Sequence, residues 1–267
     1  MAIEQTALRL LVFASVFLLL VVGESAWPRR ANVRQPRRWI ANFGLLVLNT
    51  AVLRLLSVAL PTLTVAAAYG AQQWHWGLLP LLTLPYVVAV VVGFVALDLA
   101  VYAQHVAMHF VPVLWRMHRV HHADTEFDVT TGLRFHPLEI LVSQIWKIGV
   151  VILVGVPVAT AIVFEIVLNA SSMFSHANLK VPGEVDRWLR LAVVTPDMHR
   201  VHHSVERDER DTNYGFNLAL WDRLFATYRA QARGPHETMA IGLSTLPQSD
   251  AANFLWLLRF PFARGAP

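Results

Sequence analysis

The sequence predicts an all-α integral membrane protein, a helical bundle of four to five spans with a cytoplasmic helical cap that holds a histidine-rich dimetal site. Three observations predict it. Hydrophobic residues make up 55% of the 267 and charged residues 15%, whereas a soluble domain carries about 25% charge. Several apolar runs approach the ~20 residues that a bilayer crossing needs. Eight of the 12 histidines fall in three short motifs beside predicted span ends. A mean hydropathy of +0.47 excludes disorder. The lack of cysteine excludes a disulfide scaffold, thiolate zinc sites, iron–sulfur clusters and c-type haem, so histidine, carboxylate or backbone must hold any metal. A net charge of +4 and a pI near 9.8 read as membrane topology rather than nucleic-acid binding.

The elements follow in order. Residues 7–22 form a retained span, since a signal-peptide cleavage pattern is poor. Arg29, Arg30, Arg34, Arg37 and Arg38 then make a cytoplasmic loop by the positive-inside rule. Residues 39–69, with Arg54 and Pro61 inside, read as one long bent or tilted helix, and Trp74-His75-Trp76 follows as an interface cluster. A third helix covers 81–110; its later part carries Asp98, Tyr102, His105 and His109. Runs at 138–154 and 158–174 flank Gly155-Val156-Pro157 as a helical hairpin. The polar tail is extramembrane, with 254–262 on the interface. The chain divides into 1–80 (N-terminal membrane helices), 81–230 (the histidine-bearing domain) and 231–267 (tail). With the arginine loop cytoplasmic, every clustered histidine falls on that same face. Lys147 and Glu165, each nine residues from Val156, are expected to pair across the hairpin, because an ionisable residue inside a span needs a partner. Arg54 has no evident partner.

The histidines carry the chemistry. His105 and His109 form HxxxH; His118, His121 and His122 form HxxHH; His199, His202 and His203 repeat it. Spacings of three and four stack side chains on one helix face. Eight unligated imidazoles packed together would repel when protonated or bury unsatisfied nitrogens. Metal ligation removes both problems, and two HxxHH segments can surround two ions. His176 sits where a ninth ligand would. His136, before Pro137, is a helix cap, a substrate contact or a further ligand. His75 and His236 read as ordinary structural residues. Imidazole suits iron, copper, nickel and zinc; two irons sharing oxygen fit a membrane-bound oxidation, and two zincs remain open.

At these residues the chain resembles the fatty acid hydroxylase/sterol desaturase superfamily. Asp98, Tyr102, His105 and His109 are similar to its D-x-x-x-Y-x-x-H-x-x-x-H. His118-Arg119-Val120-His121-His122 and, after Thr195-Pro196, His199-Arg200-Val201-His202-His203 are similar to its two HRxHH motifs. Phe174, His176 and Asn178 resemble F-x-H-x-N, and Asn213-Tyr214-Gly215 with Trp221-Asp222-Arg223-Leu224-Phe225 resembles NYG…WDxLF. Val106 and Ala226 depart from it, standing where arginine and glycine are usual. The resemblance implies a non-haem di-iron centre of two Fe ions held by those nine histidines, with O2 as co-substrate. That centre hydroxylates or desaturates a C–H bond of a membrane lipid, whether sterol, fatty acyl chain, carotenoid or ether lipid.

Asp98, Tyr102, Asn178 and Asp222 are expected to orient imidazoles by hydrogen bonds, with Trp221 folding the tail over the site. Arg116, Arg119, Arg200, Arg207 and Arg210 are candidates to meet phosphate head groups or an acidic electron carrier. No dinucleotide or haem motif is present, so electrons come from a separate donor, a ferredoxin or a cytochrome with its reductase; a pterin, used by some members, is the alternative. The arginine-rich, lysine-poor composition points to a bacterial inner membrane. Two other readings remain. One is a metal transport or sensing protein using the same histidines, although transporters place ligands near the midplane. The other is a zinc hydrolase, for which Asp124 and Asp197 are the nearby acid/base candidates.

Overall fold

The computed structural model describes residues 2–31, 35–56, 63–244 and 248–263. Arg34 of the arginine loop and Pro61 of the second apolar region lie outside the described residues. Among the described residues every regular element is helical. The first eight helices are α1 Ala2–Ala26, α2 Pro36–Leu56, α3 Leu63–Gln73, α4 Leu78–Leu81, α5 Tyr86–Phe110, α6 Pro112–His122, α7 Pro137–Val154 and α8 Val158–Ser175. Short helices follow: α9 Gly183–Leu189, α10 Pro196–His202, α11 Arg207–Arg210, α12 Leu220–Leu224, α13 Gln248–Ala251 and α14 Phe254–Arg259. Thr6–Ala26 of α1, and α2, α5, α7 and α8 whole, are long and apolar enough to cross a membrane. The chain is a multi-pass membrane protein.

The expected hairpin is α7 and α8. Gly155 ends α7 at φ 72°, a left-handed conformation that glycine adopts without a Cβ penalty, and Pro157 precedes α8. Gly77 approaches Gly155 so closely that a Cβ there would stand 2.1 Å from the Gly155 nitrogen. The bundle packs on a mixture of small residues, which let helices approach closely within lipid, and larger apolar ones. Ala68, Leu97, Val151, Ala161 and Phe164 form its core, and Gly93 lets α5 touch Val156, Pro157 and Thr160.

Three expectations are corrected. Residues 39–69 are two helices, α2 and α3, rather than one. They still make a single passage: Asn49 donates to the Phe135 carbonyl, Thr64 meets Gln144, and Gly77 meets Gly155, so the chain advances steadily along α7. The third apolar helix begins at Tyr86, after Pro85, not at 81. Glu165 makes its direct ion pair with Arg9 at 2.5 Å, because α1 packs along α8, while Lys147 attracts it across the hairpin without such a pair. With one passage by α2 and α3, the crossings alternate. His105, His109 and His176 all fall at the bundle end where α1 finishes and Glu24 accepts from the Val129 and Asn178 backbone.

Candidate metal centre

Three helices and one helix end deliver the imidazoles. The last turns of α5 carry His105 and His109, α6 carries His118, His121 and His122, and α10 carries His199 and His202 with His203 at its C-cap; His176 is the C-cap of α8. Pro112 and Pro196, each in the first turn, start α6 and α10, and the Thr195 hydroxyl caps α10. The nine imidazoles gather as two groups, each with ligand atoms within 4.8 Å of one another. One holds His105, His109, His118, His122 and His202; the other holds His121, His176, His199 and His203. Each HxxHH is thereby shared. His118 and His122, four apart, face the first group while His121 faces the second; His199 and His203 face the second while His202 faces the first.

Hydrogen bonds fix which nitrogen points inward. A carbonyl oxygen only accepts, so a bonded Nδ1 carries the proton and Nε2 keeps a lone pair. His105 Nδ1 donates to the Tyr214 carbonyl at 2.7 Å, His202 to Thr212 at 2.7 Å, His121 to Arg134 at 3.2 Å and His176 to Ser172 at 2.6 Å. His118 Nδ1 meets Glu139 at 2.7 Å and His109 Nδ1 meets Asp211 at 3.3 Å, the carboxylate–histidine pairing that stiffens metal ligands. The Nε2 atoms of His105, His109, His118, His122 and His202 are buried with no hydrogen-bond partner.

In the four-histidine group, His176 Nε2 lies 3.1 Å from His121 Nε2, 3.2 Å from His203 Nε2 and 3.0 Å from His199 Nε2. Both His121 and His176 spend their protons on carbonyls, so two lone pairs face each other at 3.1 Å. A cation between them turns this repulsion into coordination. At a metal–imidazole bond of about 2.1 Å, nitrogens at right angles about one ion are roughly 3.0 Å apart. The donor set therefore fits metal ions in both groups.

Burial, and then the neighbouring imidazoles, push His121, His122, His199 and His203 well below the usual histidine range. Burial does the same to His202, and pushes His176 down to about 4 against the Ser172 carbonyl. All are neutral at pH 7, the state that binds metal.

Several candidate residues have other partners. Asp98 accepts from Asn217, Trp221 and the Leu218 nitrogen; Tyr102 bonds Thr227; Asn178 exchanges bonds with the Arg30 backbone. None of the three reaches a histidine, because each is turned toward a remote chain segment. Asp222 acts at one remove. It accepts from the nitrogens of Tyr214 and Gly215 and from Thr227, and so holds the carbonyl that orients His105. His136 caps α7 by accepting from Leu138 N and donates to the Leu258 carbonyl; it belongs to neither group. His236 lies 4.0 Å from Asp197.

Three arginines of the loop have partners inside the protein, while Arg37 is exposed. Arg29 pairs with Asp197 and Glu237, Arg30 reaches the Met239 carbonyl, and Arg38 is buried against Asp124 and Asp128. Arg119 and Arg200, expected at a head-group surface, are buried. Arg119 clamps the carbonyls of Phe260 and Ala263, and Arg200 pairs with Asp197 over the Phe127 ring. Arg210 lies over Trp115. Asp124 and Asp197 are thus committed to arginines. Burial would raise the Asp124 carboxyl, but Arg38 and Arg134 hold it below the usual range.

Sequence reasoning missed Glu139, Asp211 and the four orienting carbonyls. Backbone acceptors leave no trace in residue type. One trace existed: Asn213 takes φ 54°, which asparagine tolerates better than most, and this turn aims Thr212 and Tyr214 carbonyls at His202 and His105.

Comparison with known proteins agrees with this architecture. The family profile described as Fatty acid hydroxylase matches residues 90–227. The ornithine lipid hydroxylase of Rhizobium tropici is 30% identical over 213 residues, 78% of this chain and 57% of its own length. The alkylglycerol monooxygenase of Homo sapiens is 29% identical over 153 residues, 57% of this chain and 32% of its own length; that of Danio rerio is 30% identical over 142 residues. The chain thus spans between 30% and 57% of the length of these relatives. No solved structure matches.

Proposed function

This chain belongs to the fatty acid hydroxylase family, and from that premise we propose that it is a di-iron, O2-dependent enzyme that hydroxylates a C–H bond of a membrane lipid. The observation that carries the reading is the convergence of nine imidazoles in groups of five and four. The relatives named as hydroxylase and monooxygenase of lipids favour hydroxylation over desaturation. The arginines beside the histidine end favour the cytoplasmic face of a bacterial inner membrane. Electrons come from a separate ferredoxin or cytochrome.

A bound iron pair supplies the activation of dioxygen that puts one oxygen atom into a C–H bond, while two external electrons and two protons reduce the other to water. The chain's residues do the rest. The carbonyls of Tyr214, Thr212, Arg134 and Ser172 hold four imidazoles with Nε2 inward. Glu139 and Asp211 hold the rings of His118 and His109 in place through their Nδ1 atoms. Phe135 stacks on His121 at 4.6 Å, and Phe127 and Phe216 pack on His203 and His105, excluding water from one side of each ring.

The test compares lipid extracts from cells expressing the chain and its His121→Ala variant by mass spectrometry, with metal analysis of both proteins. We expect one lipid class to gain one oxygen atom only with the parent chain, which binds two irons. Unchanged lipids alongside two tightly held zincs would overturn the reading.

A further inference from the structure

Two stretches of the so-called cap reach down beside the spans rather than lying over them. Asn217, Leu218 and Trp221 donate to Asp98, which lies twelve residues before the end of α5, about 18 Å along the helix. Phe225 stacks on Tyr102 at 5.4 Å, eight residues or about 12 Å from that end. On the other flank, Val193 and Val194 line a groove with Val16 and Leu20 of α1 and Ala170 and Phe174 of α8. Leu20 and Val16 lie about 9 and 15 Å before the end of α1. The stretches are joined: Val194 N donates to the Asn217 carbonyl and Ala219 N to that of Ala192, both at 3.1 Å.

Their outward faces are apolar apart from Glu184, 79% exposed, and Arg187, which pair at 2.8 Å. Trp188 is 65% exposed, Leu191 55%, Leu224 63% and Phe225 51%, a run that a water-facing surface rarely shows. Their polar groups at that depth bond internally, to Asp98 and to one another, as a lipid environment demands. The rim has interface chemistry: Arg187 lies over the Trp188 ring at 5.3 Å, and Trp27 and Lys180 are exposed nearby, Lys180 N bonding the Trp27 carbonyl.

We propose that residues 183–193 and 218–225 form a wedge embedded in the leaflet on the histidine side, and that the groove it makes with α1 and α8 takes the acyl chain of a membrane lipid. The groove is open along one side and has a volume of about 320 Å³. Its walls continue the lipid-facing surfaces of two spans, which selects a hydrocarbon chain. Its lining includes Phe174, two residues before His176, and Val194, which precedes the Thr195 cap of the helix carrying His199. Asp98 is a positioning residue for the wedge. Only the fate of the chain rests on the proposed hydroxylation; the depth and the groove stand on geometry.

The chain has no cysteine, so single cysteines carry nitroxide labels without background. In nanodiscs of phosphatidylethanolamine and phosphatidylglycerol, labels at Leu191 and Leu224 should be reached more readily by dissolved oxygen than by a nickel chelate. A label at Arg233, 62% exposed on the polar surface, should show the reverse. A label at Leu20 should be broadened by a doxyl-chain phospholipid, and Ala170→Trp, which fills the groove, should remove that broadening. Equal access of the nickel chelate to Leu191, Leu224 and Arg233 would overturn the wedge. Broadening that survives Ala170→Trp would overturn the groove. Neither readout needs metal or turnover, so a failure of the hydroxylase reading would appear in the lipid and metal analyses alone.

Discussion

The five-histidine and four-histidine groups draw on the same HxxHH motifs but are held by different kinds of structure. The five-histidine group hangs partly on a loop. Asp211, Thr212 and Tyr214 bond His109, His202 and His105, and Glu139 bonds His118. The four-histidine group rests on helix-end carbonyls at Arg134 and Ser172. Arg134 in turn is locked by Val120 and Asn42. Two carboxylates touch the first group, and no carboxylate bonds the second among the described residues. The lesson is that the two groups offer unequal settings to the proposed ions: the first more negative and held partly by a loop, the second without a bonded carboxylate and held by helix ends.

The largest test of that inequality removes a ligand from each. In the four-histidine group His176 is the hub, its Nε2 within 3.2 Å of three others. His176→Ala leaves three ligands and should drop bound metal from two ions toward one, with activity down at least about 100-fold. His118→Ala leaves four and should keep more of its ion. Elemental analysis of the two purified variants decides it; equal losses would erase the distinction.

Acid gives the next effect. In metal-stripped protein His176 is pushed down to about 4, burial being the main cause. The unfolded chain binds more protons than the folded one between about 6.5 and about 4. The stability from this group is therefore present above 6.5 and lost as pH falls toward 4, on the order of 3 kcal/mol for His176 alone. Thermal melts of chelated protein from pH 7.5 to 5 should fall steadily, and less in His176→Gln. A flat profile would mean that the rings are hydrated and the rigid setting is wrong.

Third comes Glu139→Gln, which keeps the shape but removes the charge beside His118. Metal affinity of one site should fall about 10- to 100-fold, measured by competition with a chelator, while the other site is unmoved. Glu139 also shows where the sequence was legible and where it was not. Periodic apolar runs announce spans because a bilayer filters length and charge, so α1, α5, α7 and α8 were readable. Histidine spacing announces shared helix faces, so eight of the imidazoles were readable from it, and His176 from its place at the end of a span. Glu139 and Asp211 lie on other segments, and only tertiary packing brings them to His118 and His109. The same limit explains Glu165, whose partner Arg9 comes from 156 positions away, and Asp98, which meets the wedge instead of a histidine.

The smallest expected effect probes the loop side of the comparison. Ala226 takes φ 58°, a left-handed conformation costing an L-residue roughly 1 kcal/mol. It precedes Thr227, which bonds both Tyr102 and Asp222, and Asp222 holds the Tyr214 nitrogen behind His105. Ala226→Gly removes the Cβ strain while keeping every one of these bonds. Glycine also widens the unfolded ensemble, which offsets part of the gain, so the net stabilisation should be a few tenths of a kcal/mol to about 1 kcal/mol. The readout is a rise in melting temperature with unchanged metal content. If the five-histidine site is held by this loop, the substitution should also slow metal release from that site and leave the four-histidine site untouched. Slower release from both sites would show that the loop braces the whole centre, and the contrast between an adjustable and a rigid site would fail.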